Sequence, residues 1–216
     1  MILNMNLGKN SYDIVVERGA ITRASEHLNL YRRVLIVTDT GVPEIYAQTI
    51  ANQCKTPVIC VVETGEASKS IEVFEKLLHK MLENNFSRND CVVAVGGGVV
   101  GDLAGFVASL YMRGIDFYNV PTTMLSQVDS SIGGKTAVNL GGIKNIVGAF
   151  HQPKAVLIDP NTLETLPKRQ VVNGLFEVIK MGATSDAELF NLFLEDDWES
   201  KMDLFDDWLR LIFDVF

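Results

Sequence analysis

Short runs of β-branched and other apolar residues alternate with segments of helical periodicity through most of the chain. Such runs predict strands, because strands buried on both faces of a parallel sheet are almost continuously hydrophobic. The segments between them repeat apolar residues every three or four positions, as amphipathic helices do. The pattern predicts strands over 14–16, 34–37, 57–62, 91–95, 117–120 and 155–158, and helices over 43–52, 70–84 and 99–110.

Strands that alternate with helices build a mostly parallel sheet with helices packed on its faces. From about Lys168 onward the pattern becomes helical. We therefore expect an α/β fold followed by a helical segment, with a domain boundary between residues 160 and 170.

Residues 121–148 are rich in Gly, Ser and Thr, and we expect them to form functional loops rather than a solvated hairpin. Lys135 and Lys144 stand among the glycines of this stretch, and Arg113 lies just upstream. In an acidic protein, cations gathered among glycine turns indicate a site for phosphate or carboxylate groups.

The composition is that of a globular protein, with 47% hydrophobic and 21% charged residues among 216. The net charge of −8 argues against a nucleic-acid-binding surface, which needs a basic face. The chain begins without a signal-peptide pattern and contains no apolar run of membrane-spanning length. We expect a cytoplasmic protein. Its three cysteines and three histidines show no metal-ligand spacing.

Gly96, Gly98 and Gly101 match the pattern G-x-G-x-x-G between a predicted strand and a predicted helix. Glycines at this junction let backbone N–H groups approach a pyrophosphate at the helix N-terminus. The alternative is a tight turn without a ligand. Asp102 follows the loop and would repel a diphosphate, so it either binds ligand hydroxyls or favours the helix N-terminus.

Two further features allow two interpretations each. Residues 64–69 follow a predicted strand and contain Glu66 and Lys69, so they form either a ligand-binding loop or a polar loop that caps the next helix. Glu177 and Lys180 are three residues apart on an apolar helix. The carboxylate could ligate a metal or act as a base, but from the residues alone a surface ion pair is favoured.

The C-terminal segment contains an apolar stripe on an otherwise acidic helical pattern. A stripe of this kind needs a covering surface, which is the body of the protein, a continuing domain or a second subunit. Its members are Trp198, Met202, Phe205, Leu209 and Ile212.

These motifs together resemble the 3-dehydroquinate synthase family. The resemblance extends to about residue 195 and is densest in GGGVVGDLAGFVASLYMRGIDFYNVPTTMLSQVDSSIGGKTAVNLGGIKNIVGAFHQPKAVLID, residues 96–159. VPTT, QVDSS, GGKT and GAFHQPKAVLID occur in the family's order and spacing. Related sugar-phosphate cyclases and polyol dehydrogenases share part of the pattern and remain alternatives.

The resemblance implies a Rossmann-like NAD-binding domain over 1–165 and the beginning of an all-helical metal and substrate domain, incomplete, over 166–216. It implies conversion of 3-deoxy-D-arabino-heptulosonate 7-phosphate to 3-dehydroquinate and phosphate. NAD is recycled in this reaction, and a divalent metal, zinc or cobalt, takes part. The resemblance also suggests a homodimer.

Carried over by motif, the family's site residues fall into three groups. The implied metal ligand is Glu177. The implied catalytic, substrate-lining residues are Arg113, Asp129, Lys135, Asn145 and Lys180, with Lys144 beside them. The implied cofactor-binding residues are Asp39, Thr64, Gly65, Glu66, Lys69, Gly98, Val99, Val100, Gly101, Asp102, Thr122, Thr123, Lys135, Lys144, Thr162, Leu163, Glu164 and Thr165.

The sequence departs from the family pattern in its C-terminal part. The family places two histidine metal ligands there, whereas no histidine follows His151 in this chain. A single carboxylate does not complete a zinc site, for which three protein ligands are expected. We therefore expect a truncated synthase that is inactive alone, or a non-catalytic NAD-binding module.

Overall fold

The computed structural model of the chain describes residues 1–191, 193 and 194. Its strands are β1 (Ile2–Met5), β2 (Tyr12–Val16), β3 (Arg33–Asp39), β4 (Thr56–Val62), β5 (Cys91–Gly96), β6 (Asp116–Pro121), β7 (Lys135–Leu140), β8 (Ile143–Phe150) and β9 (Ala155–Ile158). Its helices are α1 (Glu44–Ala51), α2 (Ile71–Glu83), α3 (Gly98–Leu110), α4 (Lys168–Ser185) and α5 (Ala187–Asn191).

Seven strands form one sheet in the order β1-β2-β9-β6-β5-β3-β4. All neighbours in this sheet are parallel except β1 and β2, which pair antiparallel from Ile2↔Val15 to Met5↔Tyr12. The α/β fold with a mostly parallel sheet is confirmed. The four-residue edge strand β1 was not predicted, because the adjacent apolar residues Ile2 and Leu3 hide its alternation of exposed and half-buried positions.

Both faces of the central strands are buried, which explains their continuous hydrophobic runs. Successive side chains of a strand point to opposite faces. Val34 and Ile36 of β3 therefore pack in the core beneath α1, whereas Leu35 and Val37 pack in the core beneath α2 and α3. All four side chains are fully buried.

The helix α4 shares an apolar core with the sheet and with the segment that follows β6. Val171, Leu175 and Val178 of α4 pack in one cluster with Met124 and Val128. A Cβ atom added to Gly174 would lie 2.3 Å from Met124 Cγ, so the close approach of α4 requires glycine there. The predicted domain boundary at 165/166 falls between the turn Pro160–Thr165 and α4, and it stays a prediction.

Residues 135–150 form a two-stranded antiparallel hairpin, β7–β8, so the expectation of loops there was wrong. Gly141 and Gly142 have φ values of 60° and 80°, the left-handed conformation that a tight hairpin turn needs. Thr136 and Val138 are buried on one face of β7. The high glycine content of the segment masked this short alternation.

The apolar stripe over residues 198–212 lies outside the described residues, and so does the expectation that another surface covers it. Among the described helices, none combines the length and the hydropathy required to cross a membrane.

Candidate active site

A cavity lies where the path of the chain across the sheet reverses. β4 adjoins one side of β3 and β5 adjoins the other, so the loops that follow β3 and β5 lead away in different directions. α1 packs on one face of the sheet and α3 on the opposite face. Such a switch point leaves a crevice at the carboxyl ends of the strands. The cavity there has a volume of about 310 Å³.

Loops after β3, β4, β5 and β6 and the first turns of α4 line this cavity. The lining includes eight of the residues that the resemblance assigns to cofactor binding: Asp39, Thr64, Gly65, Gly98, Val99, Thr122, Thr123 and Thr165. It also includes residues that sequence reasoning missed: Gly41, Val42, Pro43, Tyr46, Gly97, Leu125, Leu166, Pro167, Gln170 and Asn173. The position of α4 against the cavity, which the sequence alone did not reveal, accounts for the last four.

The glycine run after β5 brings the start of α3 close to the cavity. A Cβ atom on Gly97 would lie 3.1 Å from Thr123 Cγ2, and one on Gly98 would lie 2.8 Å from Ser130 Oγ. Gly97 precedes the first residue of α3, whose first N–H groups have no partner within the helix. This terminus is therefore a place where an anionic group is favoured.

Asp39 ends β3 at the cavity and is almost fully buried. Its Oδ1 atom accepts a hydrogen bond of 2.7 Å from the N–H of Gly41, which fixes the turn after the strand. A Cβ atom on Gly41 would lie 2.9 Å from Thr64 Oγ1, so glycine allows the loops after β3 and β4 to approach each other. A carboxylate in this place can accept hydrogen bonds from ligand hydroxyls.

Tyr46 and Thr165 connect the two sides of the cavity. Their hydroxyl groups lie 2.8 Å apart and form a hydrogen bond between α1 and the turn Pro160–Thr165. Both residues line the cavity, so this bond fixes the separation of its walls.

Gln127 holds the turn Pro160–Thr165 in place from the protein interior. Its buried Nε2 atom donates to Thr162 Oγ1 at 2.9 Å and to the carbonyl oxygens of Pro121 and Asp159 at 3.1 Å each. Thr162, an implied cofactor contact, is therefore buried beneath the cavity wall rather than part of its lining.

A second group of polar residues joins α3 to the loop after β4 and to the hairpin. Lys69 Nζ donates to Asp102 Oδ2 at 2.5 Å and also to Asn145 Oδ1. The Lys69 residue is 4% exposed, so its charge is compensated inside the protein. Burial raises the pKa of Asp102, while the hydrogen bond from Lys69 opposes this increase. Asp102 thus pairs with a lysine from the preceding loop, a partner that the sequence did not reveal.

A third group surrounds Asp129 on the turn of π-helix Ser126–Ser130. Burial is the main cause that raises the pKa of Asp129, and the negative charge of Glu177 raises it further. The charges of Lys180 and Lys135 act in the opposite direction. Glu177 accepts a hydrogen bond from Lys180, which raises the pKa of that lysine. Four of the implied site residues are therefore electrostatic neighbours.

The described residues do not by themselves form a metal site. Within residues 1–191, 193 and 194, no group of three His, Cys, Asp or Glu side chains is arranged to hold a metal ion. The ion pair between Glu177 and Lys180, which the residues alone favoured, is present. Metal ligation by Glu177 stays a prediction of the resemblance.

The structure does not bring Arg113 to the cavity of its own chain. α3 leads from Gly98, at the carboxyl ends of the strands, back to their amino ends, where Arg113 follows the helix and precedes β6. A helix of 13 residues spans about 20 Å. Arg113 is exposed there and has a φ of 70°.

The remaining implied cofactor residues lie outside the cavity lining. Val100 and Leu163 are buried in apolar cores, and Gly101 lies against Asn119. Glu164 is exposed, as are Lys135 and Lys144 on the hairpin. Their contacts with a ligand therefore stay predictions.

Residues 59–173 match the family model described as 3-dehydroquinate synthase N-terminal. A curated 3-dehydroquinate synthase from Streptococcus thermophilus is 47% identical over 199 residues, which cover 89% of this chain and 56% of the relative. The chain therefore spans little more than half the length of the curated relatives that it matches.

Two solved structures of related enzymes share the fold. The first is 2-epi-5-epi-valiolone synthase from Streptomyces hygroscopicus subsp. jinggangensis 5008 with NAD+ and Zn2+ bound. It superposes with a TM-score of 0.86 at 33% identity, covering 98% of this chain and 61% of that one. The second is 2-deoxy-scyllo-inosose synthase complexed with carbaglucose-6-phosphate, NAD+ and Co2+. It has a TM-score of 0.79 at 28% identity, covering 84% and 51%.

The glycine-rich start of α3, the acidic end of β3 and the Asp129 group thus occur in a chain with extensive sequence similarity to one family. On the family match and the identity to its curated members, this chain belongs to the 3-dehydroquinate synthase family.

Proposed function

We propose that this chain is the NAD-binding part of a 3-dehydroquinate synthase, which converts 3-deoxy-D-arabino-heptulosonate 7-phosphate into 3-dehydroquinate and phosphate. The observation that supports this most directly is the cavity at the switch point, lined by Asp39, by Gly98 at the start of α3, and by Thr122 and Thr123. Family membership supports the reaction, and NAD+ in two solved relatives supports the cofactor.

The residues that line the cavity suit a dinucleotide. Asp39 would accept hydrogen bonds from a ribose, and the N–H groups at the start of α3 would hold the pyrophosphate. Thr64, Thr122 and Thr123 offer hydroxyl groups for the remaining polar atoms. Bound NAD supplies a hydride acceptor that is regenerated within the reaction.

The Asp129 group suits the substrate. The side chains of Lys135 and Lys180 supply positive charge for phosphate and carboxylate groups. Asp129, whose pKa is raised by burial and by Glu177, is suited to accept and return a proton. Lys144 and Asn145 follow the hairpin turn, and Asn145 accepts a hydrogen bond from Lys69. The two residues would extend the polar surface toward the ligand.

Zinc or cobalt belongs to the proposed whole enzyme, with Glu177 as one ligand. The donor set within the described residues does not complete such a site, so the roles of Asp39, Asp129 and the lysines are argued without it. A homodimer, which the resemblance suggests, is tested by light scattering of the purified chain.

Two measurements test the proposal. Calorimetric titration of the 216-residue chain with NAD should give one site per chain. Phosphate release is then measured from 3-deoxy-D-arabino-heptulosonate 7-phosphate with NAD and zinc supplied, and 3-dehydroquinate is identified as the product. Absence of NAD binding would contradict the proposed cofactor site, and a different carbocyclic product would indicate a related sugar-phosphate cyclase.

A second candidate function is a non-catalytic NAD-binding module. The observation that favours it is the incomplete set of metal ligands within the described part of the chain. Both candidates predict NAD binding by this chain. Phosphate release would support the synthase and contradict a non-catalytic module.

A further inference from the structure

Asn139 on β7 connects two loops that come from distant parts of the sequence. Its Nδ2 atom donates to Glu66 Oε1 at 2.9 Å, and its Oδ1 atom accepts from the N–H of Asn145 at 2.8 Å. Its backbone N–H donates to the carbonyl oxygen of Lys69 at 2.8 Å. One residue thus contacts the loop after β4 and the segment after the hairpin turn.

The geometry of Asn145 depends on these contacts. Asn145 has a φ of 54°, a left-handed conformation that most residues with a side chain avoid and that asparagine adopts more readily. Two interactions hold it there: the hydrogen bond from its N–H to Asn139, and the bond that its side chain accepts from Lys69. Asn139, Asn145 and Lys69 therefore form a closed ring of hydrogen bonds.

We propose that Asn139 is a positioning residue that holds the loop after β4 and the hairpin turn in one arrangement, so that Glu66, Lys69 and Asn145 meet a bound ligand together. The identity of that ligand, NAD, rests on the proposed function. Asparagine is suited to this task because its amide offers a donor to a carboxylate and an acceptor to a backbone N–H at once. Aspartate would place a second negative charge beside Glu66.

The docking of the hairpin does not depend on Asn139. Val138 is completely buried in the core beneath α3, and the methyl group of Thr136 lies against Gly105 of that helix. Variants at Asn139 should therefore fold, with the change confined to the two loops that its side chain joins.

Three variants of the full chain, with Glu66→Gln alone as a reference, test this role by calorimetric titration with NAD+. In Asn139→Asp the donor to Glu66 is lost and the acceptor for Asn145 is kept. In the double variant Glu66→Gln/Asn139→Asp the hydrogen bond is restored with its direction reversed, since the introduced glutamine amide donates to the introduced carboxylate. Asn139→Leu has a similar shape and loses both bonds. We expect affinity for NAD+ to fall about tenfold or more in Asn139→Asp and Asn139→Leu, because hydrogen bonds to charged groups are the stronger ones.

The reversed pair should restore the affinity to within about threefold of that of Glu66→Gln alone, since its bond joins the same two positions. A purely structural role would instead lower the unfolding temperature of Asn139→Asp and Asn139→Leu and leave their affinity for NAD+ unchanged. Loss of affinity in Asn139→Asp without rescue, or unchanged affinity in Asn139→Leu, would overturn the inference.

Hydrogen exchange of the Asn145 amide gives a readout that needs no ligand. Exchange should accelerate about tenfold or more in Asn139→Leu and stay close to the parent rate in Asn139→Asp, which keeps the acceptor. Equal exchange rates in the parent and Asn139→Leu would overturn the inference. If neither the parent nor any variant binds NAD+, the proposed cofactor is wrong, and the exchange rates alone decide whether Asn139 positions Asn145.

Discussion

Lys69 and Asp102 form an ion pair with 2.5 Å between Nζ and Oδ2. The side chain of Lys69 is 5% exposed and that of Asp102 is 23% exposed. The pair explains how a carboxylate can follow a glycine loop at which an anion is favoured: its charge is compensated by a lysine from the loop after β4. The ion pair also joins the start of α3 to that loop.

The first prediction concerns the pKa of Asp102. Since Lys69 lowers this pKa against the effect of burial, Lys69→Met should raise it further. A carboxyl whose pKa is raised on folding stabilises the protein below its unfolded value, and this contribution is lost as the pH rises through the folded value. The stability lost in Lys69→Met should therefore be greater at pH 7 than in acid, about 2 kcal/mol at pH 7.

Urea unfolding of the parent and of Lys69→Met between pH 4 and pH 8 measures this difference. Lys76→Met, which replaces an exposed lysine on the neighbouring helix α2, is the matched control and should change stability by less than about 0.5 kcal/mol. A loss of stability in Lys69→Met that is the same at every pH would contradict the prediction.

The second prediction concerns the close approach at Gly98. A methyl group there meets Ser130 Oγ at 2.8 Å and occupies the cavity wall at the start of α3. Because Ser130 is exposed and can move, Gly98→Ala should change the free energy of unfolding by less than about 1 kcal/mol. The affinity for NAD should fall about tenfold or more, since the methyl group separates the ligand from the backbone N–H groups.

Calorimetry with Gly98→Ala, Ser130→Ala and the double variant separates the two effects. The double variant removes the clash with the hydroxyl group and keeps the methyl group in the cavity wall, so its affinity should stay low. Recovery of affinity in the double variant would show that displacement of Ser130, rather than obstruction of the loop, weakens binding.

The strands and helices around the switch point could be predicted from the sequence because each has a strong pattern of its own. The buried runs of β3 and β5 and the periodicity of α2 and α3 are local signals. β1 and the β7–β8 hairpin escaped prediction, since the adjacent apolar residues Ile2 and Leu3 hide the alternation in β1 and glycines interrupt it around Gly141. Their stability comes from pairing with neighbouring strands, which composition does not reveal.

The candidate site likewise combines residues that the sequence predicts with contacts that it does not. Asp39 is the last residue of β3 and Gly98 lies two residues after β5, so their place at the carboxyl ends of the strands follows from the fold class. The contacts of Lys69 with Asp102 and Asn145 join residues 33 and 76 positions apart. No spacing rule predicts such pairs, and Arg113 could be located only once the direction of α3 was known.

The third prediction tests the packing of α4 against the cavity. A Cβ atom on Gly174 would lie 2.6 Å from the backbone nitrogen of Leu125, which cannot move without the chain around it. Gly174→Ala should therefore reduce the free energy of unfolding by about 2–4 kcal/mol, although alanine favours helices. Urea unfolding measures the loss. The control Ala183→Gly, at an exposed position of the same helix, should cost about 1 kcal/mol, and an equal loss in both variants would contradict the packing argument.

The last prediction concerns the choice of nucleotide. Asp39→Asn keeps an oxygen that can accept the N–H of Gly41, now 2.7 Å from Oδ1, so the turn and the stability should be preserved. The affinity for NAD should fall about tenfold, because the neutral amide accepts ribose hydroxyls less strongly than a carboxylate. The affinity for NADP should fall less or rise, since the negative charge that repels a 2′-phosphate is removed. Titration with both nucleotides measures the ratio, with Asp13→Asn, an exposed carboxylate on β2, as the control. A ratio of NAD to NADP affinity that is equal in Asp39→Asn and the parent would show that Asp39 does not face the ribose.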